Sequence, residues 1–236
     1  ITYTATDASG NESTSSFDLT VVDDELPQIT GVPSSAVLSS DPGSCGAQHS
    51  WAAPVATDNC GAPAVTLSHN SGDFFPIGTT NVTLLVEDAN GNTLDFNFDV
   101  IVSDTEMPVI TGVPTSSSHL TEPGQCTRVI EWAMPTVSDN CESPTLIESV
   151  ASGTAFPVGD TEVTYTATDA NGNIVQESFI ISVSDEELPT LDGVPVSMSA
   201  DSTSGLCGAL VAWPDPVVGD NCGIDTFTTT HEPGST

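Results

Sequence analysis

Residues 156–173 read FPVGDTEVTYTATDANGN, and this pattern predicts a β-strand followed by a tight turn. Between Val163 and Ala167, residues favoured in strands alternate with period two, as in a strand with one buried face. The strand ends at Asp169, and the residues after it include Asn171 and Gly172, which suit the positive-φ positions of a hairpin turn. We therefore expect a second strand that returns antiparallel to the first.

The hairpin belongs to an internal repeat with a period of 81 residues, which is the spacing between Pro27 and Pro108. Landmarks recur at this interval without insertion or deletion, and they are Pro27, Pro108 and Pro189; Trp51, Trp132 and Trp213; and Asp7, Asp88 and Asp169. The strands after the turns carry apolar residues at alternate positions, namely Phe17, Leu19 and Val21; Phe96, Phe98, Val100 and Val102; and Phe179, Ile181 and Val183. No segment shows a helical period. The pattern predicts an all-β fold, in which tandem β-sandwich repeats of this length form a linear array.

The phase of the repeat predicts four segments. Residues 1–22 are the last two strands of a partial repeat, residues 23–103 and 104–184 are complete repeats, and residues 185–236 are the N-terminal part of a further repeat. The first segment has the strands that the last one lacks. An incomplete sandwich exposes unpaired backbone groups. Either one continuous array extends through these residues, or neighbouring chains complete one another head to tail.

The composition excludes several functions. The chain has 33 Asp and Glu against a single basic residue, Arg128, which gives a formal net charge of −32. Such a surface repels the phosphates of nucleic acids and of anionic membranes. No apolar run approaches the roughly 18 residues of a membrane span. The four histidines do not recur at one repeat position, and no catalytic triad or metal-binding histidine pair stands out, so we do not expect an enzyme.

Six cysteines recur with the same period and form three sequence pairs. In each pair the second cysteine lies 15 positions after the first, and the pairs are Cys45 and Cys60, Cys126 and Cys141, and Cys207 and Cys222. Closing a loop of this length stabilises a small domain by roughly 3 kcal/mol. Two thiols without a nearby histidine make a poor zinc site. The spacing therefore predicts one local disulfide in each repeat, and with it an oxidising compartment outside the cytoplasm.

Several separated motifs together resemble the HYR (hyalin repeat) domain. They are a cysteine, a tryptophan, a proline and Asp-Asn-Cys, then Ser-Gly, the hairpin of residues 156–173 and a strand that begins with Phe. The resemblance covers the full length of the chain as two complete and two partial repeats. It implies an immunoglobulin-like fold and an extracellular or cell-surface location, because this family forms tandem arrays associated with adhesion and matrix.

Acidic residues cluster where one repeat meets the next, and we name these segments the joints: residues 23–25, 104–106 and 185–187. A proline follows each joint and no Gly or Ser linker intervenes, so the connection should be short and fairly stiff. If the hairpins lie at the end of the sandwich, their oxygen atoms and those of the joints would suit Ca²⁺. The predicted ligands are Asp23, Asp24, Glu25, Asp88, Asn90, Asn92, Asp104, Glu106, Asp169, Asn171, Asn173, Asp185, Glu186 and Glu187.

The joints also have a simpler interpretation as solvated surface, since a large negative charge keeps a protein soluble in salty water. The Asn-Gly pairs are already explained by the hairpin turns. The Asp-Asn pairs that precede the second cysteines begin at Asp58, Asp139 and Asp220, and we interpret them as turns with side-chain to backbone hydrogen bonds.

The sequence favours a structural or adhesive segment of an extracellular fibre, filament or cell-surface stalk. The alternatives are a module that binds carbohydrate or protein at the cell surface, and a noncatalytic part of a secreted enzyme. The expected partner is the same array, through continuation of the chain or through head-to-tail self-association. Two acceptor patterns, beginning at Asn11 and Asn81, also point to glycans.

Overall fold

The computed structural model describes residues 1–205 and 207–231. Contacts divide the chain into two compact units, Ile1–Glu106 and Met107–Thr236. The described residues form twenty β-strands and no helix, which confirms the all-β prediction. A helix able to cross a membrane is therefore absent from the part of the chain that the structure describes.

The first unit contains ten strands. They are β1 (Thr2–Thr6), β2 (Glu12–Ser16), β3 (Gln28–Thr30), β4 (Ala36–Ser39), β5 (Gly46–Gln48), β6 (Val55–Thr57), β7 (Ala64–Leu67), β8 (Phe74–Pro76), β9 (Gly78–Glu87) and β10 (Thr93–Ser103). Strands β1 and β2 form a separate antiparallel hairpin, and β3 to β10 build a sandwich.

This sandwich has a four-stranded sheet on one side and two short strand pairs on the other. The sheet order is β4-β10-β9-β7, in which β10 is antiparallel to β9 and parallel to β4. The short pairs are β3-β6 and β5-β8. Ala47 of β5 and Phe75 of β8 pack with Val82, Phe98 and Val100 of the large sheet. The core therefore lies between two layers, as in a β-sandwich.

The alternation in the sequence explains which side chains enter this core. Val82, Leu84 and Val86 of β9 are at most 1% exposed, whereas Thr83 between them is exposed. Successive side chains of a strand point to opposite faces, so one apolar face is enough to define the core side. Trp51 packs on the same core, edge-on to the ring of Phe98 at 5.2 Å.

The second unit also contains ten strands. They are β11 (Val109–Thr111), β12 (Ser117–Leu120), β13 (Thr127–Val129), β14 (Thr136–Ser138), β15 (Thr145–Glu148), β16 (Ala155–Pro157), β17 (Gly159–Thr168), β18 (Ile174–Ser184), β19 (Thr190–Asp192) and β20 (Val217–Gly219). The first eight repeat the same topology, with sheet β12-β18-β17-β15 and pairs β11-β14 and β13-β16. Strands β19 and β20 form a further antiparallel pair. The two complete sandwiches therefore share one fold.

The hairpin turns differ from the prediction in one respect. Gly91 and Gly172 have φ values of +89° and +92°, but among the described residues only glycines have positive φ. The N–H of Asp88 donates to the carbonyl of Asn92 at 3.1 Å, so three residues form the loop. A loop of this type needs one left-handed residue rather than two. The prediction of positive φ at Asn171 is therefore wrong.

In the complete sandwiches the predicted inward-facing residues are buried, except Phe96, which is half-buried, whereas those of the first hairpin are exposed. Ile181 is fully buried, and Phe179 and Val183 on either side of it are only 5% and 4% exposed. In contrast, Phe17, Leu19 and Val21 are 48%, 68% and 89% exposed, and they lie beyond the end of β2. The reason is that no facing sheet covers this hairpin within residues 1–205 and 207–231.

The prediction of local disulfides is wrong. The structure joins Cys126 to Cys222, with Cα atoms 4.7 Å apart, instead of Cys126 to Cys141 and Cys207 to Cys222. Cys45 and Cys60 are in the thiol form, so the predicted bond between them is not formed either.

The physical reason is the path of the chain through the sandwich. Cys45 precedes β5 at the end where β9 begins, since Gly46 pairs with Pro76. Cys60 follows β6 at the opposite end, beside Asp58 and close to the hairpin where β9 finishes. The full length of β9 spans roughly 30 Å, whereas the Cα atoms of a disulfide lie less than about 7 Å apart. Two cysteines close in sequence are thus at opposite ends of the repeat.

Candidate functional site

An aspartate side chain closes each hairpin turn. Asp88 Oδ1 accepts hydrogen bonds from the backbone N–H groups of Asn90 at 2.9 Å and Asn92 at 2.8 Å, and its Oδ2 accepts one from the Asn92 side-chain amide at 2.8 Å. Asp169 accepts the same set of bonds in the second unit, and Asp7 does so in the first hairpin. These bonds explain why the turn needs Asp at its first position and Asn at its fifth.

The same bonds favour the ionised form of Asp88 and Asp7. Burial, which leaves Asp88 only 8% exposed, raises its pKa, but hydrogen bonds from Asn92, Asn90 and Gly91 outweigh burial and lower the pKa below its ordinary value. For Asp7, which is exposed, the side-chain bond from Asn11 is the main cause of the lowered pKa. A carboxylate that accepts several N–H bonds favours its charged form.

The hairpin of the first unit contacts the joint that precedes it. The side-chain amide of Asn90 donates to Asp23 Oδ2 at 3.0 Å, and that of Asn92 donates to the backbone carbonyl of Asp23 at 3.2 Å. In the same joint, Glu25 Oε2 accepts a hydrogen bond from the side chain of Asn59 at 2.9 Å. The hairpin therefore lies at the end of the sandwich that faces the joint.

Three carboxylates converge at this place. One carboxylate oxygen from each of Asp23, Asp58 and Asp88 lies within 4.8 Å of the others. Asp58 Oδ2 accepts the N–H of Cys60 at 2.9 Å, which is the predicted turn. Its Oδ1 is buried and accepts no hydrogen bond from any residue that the structure describes. A buried oxygen without a partner, next to two other carboxylates, is a ligand set for a hard cation.

Sequence reasoning did not identify Asp58 as a ligand. The motif Asp-Asn-Cys recurs in each repeat, which could have indicated a ligand. Its interpretation as a turn, however, already explained the recurrence. The predicted ligands Asp24 and Glu186 are exposed. Asn90 and Asn92 direct their amide nitrogens, which are hydrogen-bond donors, at Asp23. In the first unit the oxygens that converge therefore belong to carboxylates, and the predicted asparagine ligands direct nitrogen atoms at this place instead.

The thiol of Cys60 lies at the edge of the carboxylate cluster. Its hydrogen bond to Asp23, its partial desolvation and the negative charges of Asp23, Asp58 and Asp88 all raise its pKa above the ordinary value. A thiol with a raised pKa is a poor nucleophile at neutral pH. The pKa of the Cys60 thiol therefore depends on the charge of the carboxylate cluster.

Joints also bind the loop at the end of the preceding sandwich. In the first unit, Asp104 accepts a hydrogen bond from the Ser40 hydroxyl at 3.2 Å, and Glu106 accepts the N–H of Gly43 at 2.8 Å. Equivalent bonds occur in the second unit, where Thr121 donates to Asp185 at 3.1 Å and the N–H of Gly124 donates to Glu187 at 3.0 Å. The carboxylates of the joint thus accept hydrogen bonds from donors of the preceding repeat.

Asp185 shows contacts to both neighbours at once. Its Oδ1 accepts hydrogen bonds from Thr121 of one repeat and from the side chain of Asn221 of the next, both at 3.1 Å. Asn221 also donates to the backbone carbonyl of Gln125 at 2.9 Å. The bond from Asn221 is the main cause of a lowered pKa at Asp185, followed by the bond from the N–H of Glu187. Asp185 therefore connects two repeats as a charged acceptor.

Comparisons with known proteins identify relatives of the chain. A protein named hyalin from Strongylocentrotus purpuratus is 32% identical over 243 residues, which cover 99% of this chain and 20% of that protein. Hyalin from Lytechinus variegatus is 33% identical over 245 residues, covering 99% of this chain and 46% of the relative. The chain thus spans a fifth of one hyalin and just under half of the other.

Among solved structures, the protocadherin gammaB7 EC3-6 cis-dimer structure is similar over 92% of this chain and 68% of that chain, with 14% identity and a TM-score of 0.37. The HYR domain matches the sequence twice, over residues 22–102 and 103–183. These two consecutive matches and the near full-length similarity to hyalins show that the chain belongs to the HYR domain family of extracellular, adhesion-type repeats.

Proposed function

We propose that the chain is a structural segment of an extracellular fibre or cell-surface stalk, in which acidic joints hold consecutive repeats in a fixed relation. The observation that carries this proposal is the position of Asp185 between Thr121 and Asn221. A carboxylate that accepts bonds from both neighbours restricts their relative rotation. The sequence also has no flexible Gly or Ser linker at the joint, and this further restricts rotation between the repeats. Stiffness is the property that a fibre or stalk requires.

The joints are also proposed to bind Ca²⁺. Asp23, Asp58 and Asp88 bring three negative charges together, and their mutual repulsion opposes the closed arrangement of joint, turn and hairpin. A calcium ion, which takes six to eight oxygen ligands, would replace this repulsion with attraction. Asp58 Oδ1 supports the proposal most directly, because it is buried without a hydrogen-bond donor among the described residues. Water would complete the coordination.

Thermal unfolding in calcium and in chelator tests the calcium proposal. At calcium a hundredfold above its Kd, a single site stabilises the folded state by about 2.7 kcal/mol. The expected result is a higher Tm in calcium, and Asp58→Asn should remove that increase. Asp95→Asn is the matched control, because it makes the same charge change on an exposed position of β10. An equal response of both variants would contradict a site at Asp58.

Electron microscopy and small-angle scattering test the structural role. Stiff joints predict extended particles of narrow length distribution, and Asp185→Ala should broaden that distribution. The partner is further copies of the repeat, in the same chain or in a neighbouring one. In support, Phe17, Leu19 and Val21 are exposed, although the equivalent positions are buried in a complete sandwich. Compact or freely bent particles of the unaltered chain would argue against a stalk.

A further inference from the structure

We propose that Asn90 is a site of spontaneous deamidation, and that loss of its side-chain amide turns an attraction at the joint of residues 23–25 into a repulsion. Asn90 precedes Gly91 in the loop between β9 and β10. Its side-chain amide donates to Asp23 Oδ2 at 3.0 Å, so the nitrogen that the reaction removes is the one that contacts the joint. The inference rests on the proposed structural role of the joint, and it adds a way in which the joint loosens as the protein ages.

The loop leaves the reacting atoms accessible. Asn90 and Gly91 are both exposed. Apart from the chain neighbours of Gly91, no heavy atom lies within 4 Å of the position where a side chain of this residue would begin. The N–H of Gly91 donates to the Asp88 carbonyl at 3.4 Å, which is longer than the usual length of about 2.9–3.0 Å for such a bond. The attacking nitrogen is therefore unobstructed and is held only weakly by the turn.

The reaction needs only water, and its atoms balance. Asparagine is a thermolabile residue, and a following glycine favours its deamidation because glycine has no side chain to obstruct the attack. The backbone nitrogen of Gly91 attacks Cγ of Asn90 and forms a cyclic imide, while the bond from Cγ to Nδ2 breaks. The proton of the Gly91 N–H leaves with that nitrogen as ammonia. Water then opens the imide at either of its carbonyl carbons and gives aspartate or isoaspartate, without any oxidation or reduction.

Both products oppose the present contact with the joint. The aspartate product has a carboxylate where the amide donor of Asn90 now faces Asp23 Oδ2, so two negative charges repel each other at this place. Carboxylate oxygens of Asp23, Asp58 and Asp88 already lie within 4.8 Å of one another, and the new charge adds to theirs. Isoaspartate adds a carbon atom to the backbone of the tight loop, which changes the turn as well. Deamidation should therefore loosen the contact between hairpin and joint.

Other positions of the chain provide internal comparisons. The first hairpin has Ser9 before Gly10, so the same reaction cannot occur there. Asn97 of β10 is exposed like Asn90, but it precedes Phe98, which is only 3% exposed and packs in the core. The bulky side chain of Phe98 obstructs attack by its own backbone nitrogen, so Asn97 is the reference for an exposed asparagine of the same unit.

Peptide mapping of the aged chain tests the chemical step. The unaltered chain is incubated at neutral pH, and samples are cleaved over time with a Glu-specific protease. Cleavage after Glu87 and Glu106 releases Asn90 and Asn97 on one peptide, so tandem mass spectrometry compares the two residues directly, and an isoaspartate methyltransferase labels isoaspartate. We expect Asn90 to be converted at least several-fold faster than Asn97. Equal rates of conversion would overturn the proposal.

Two variants test the effect on the joint. Asn90→Asp adds the charge of the aspartate product, whereas the matched control Asn90→Ala removes the same hydrogen bond without adding charge. Limited proteolysis in chelator measures cleavage after Glu25, which is exposed in the joint. This cleavage should be several-fold faster in Asn90→Asp than in Asn90→Ala, while cleavage after Glu106 of the same unit keeps one rate in both.

Equal cleavage after Glu25 in the two variants would overturn the role of the added charge. The use of chelator keeps this result independent of the calcium proposal. The mapping experiment does not depend on the stiffness of the joint, so failure of the chemical step and failure of the proposed structural role give separate results.

Discussion

The side-chain amide of Asn221 donates a hydrogen bond to Asp185 Oδ1 over 3.1 Å, and this contact joins residues of two consecutive repeats. The same oxygen accepts a bond from Thr121, so one carboxylate receives donors from both sides of the joint. Charged acceptors form stronger hydrogen bonds than neutral ones. The acidity of this joint therefore has a structural use beyond solubility.

Removal of this carboxylate should loosen the second unit. We expect Asp185→Ala to lower the Tm by about 2–4 °C, since Thr121 and Asn221 lose their common acceptor. Asp185→Asn should have a smaller effect, because it keeps an oxygen acceptor but not the charge. Glu186→Ala is the control, because Glu186 is exposed. Calorimetry measures the change, and an unchanged Tm in Asp185→Ala would contradict a structural role.

At the carboxylate cluster of the first unit, the effect of one substitution should depend on calcium. In chelator, Asp58→Asn removes one of three neighbouring charges and should raise the Tm or leave it unchanged. In millimolar calcium the same substitution should lower the Tm relative to the unaltered chain, because a ligand is lost. Differential scanning calorimetry of both proteins in both buffers measures this change of sign. A decrease of the same size in chelator and in calcium would indicate damage to the turn instead.

Acid should destabilise the chain in a defined range. Asp88 and Asp185 have folded-state pKa values below the ordinary value of 3.8. Groups with lowered pKa contribute stability that is present above the unfolded pKa and is lost as the pH falls through the folded pKa. We therefore expect the free energy of unfolding to be flat from neutral pH to about pH 5 and to fall below about pH 4. Denaturant titrations across this range measure the slope, which should be smaller in Asp88→Asn.

Sequence patterns predicted the sandwiches well, because strand alternation reports directly on burial. Val163, Tyr165 and Ala167 illustrate this, since the period of two places all three on one face of the strand, and that face is buried. The cysteine pairs were not predictable in the same way. The short interval between Cys126 and Cys141 does not reveal that the chain crosses the length of the sandwich between them, and only the fold shows which ends meet.

The carboxylate cluster was predicted in part for a similar reason. The motif around Asp88 indicated a turn, and the acidic joint indicated charge, but their proximity depends on the position of the hairpin at the end of the sandwich. Asp58 satisfies a turn with one oxygen, and a local motif contains no information about its other oxygen. The sequence pattern therefore could not predict contacts between residues that are distant in sequence.

The two complete repeats also differ in one core contact. Trp132 Nε1 donates a hydrogen bond to the Tyr165 hydroxyl, whereas the equivalent of Tyr165 in the first unit is Leu84. Tyr165→Phe would leave the indole N–H without its acceptor and should cost about 1 kcal/mol of unfolding free energy. Tyr3→Phe is the control, because Tyr3 is 65% exposed and should change stability by less than about 0.5 kcal/mol. Urea unfolding of both variants measures the difference, and equal effects would contradict a role for the hydroxyl.

The reactivity of Cys60 should report on the carboxylate cluster. The hydrogen bond to Asp23 and the nearby carboxylates raise the pKa of this thiol, so alkylation by iodoacetamide at pH 8 should be slow. Calcium bound to Asp23, Asp58 and Asp88 would cancel their negative field, lower the pKa and raise the thiolate fraction. We expect a several-fold faster reaction in calcium than in chelator, measured by mass spectrometry with Cys207 of the same chain as reference. Asp58→Asn should speed the reaction in chelator and abolish the response to calcium. A rate at Cys60 that calcium leaves unchanged, while Cys207 is also constant, would show that no ion neutralises these three carboxylates.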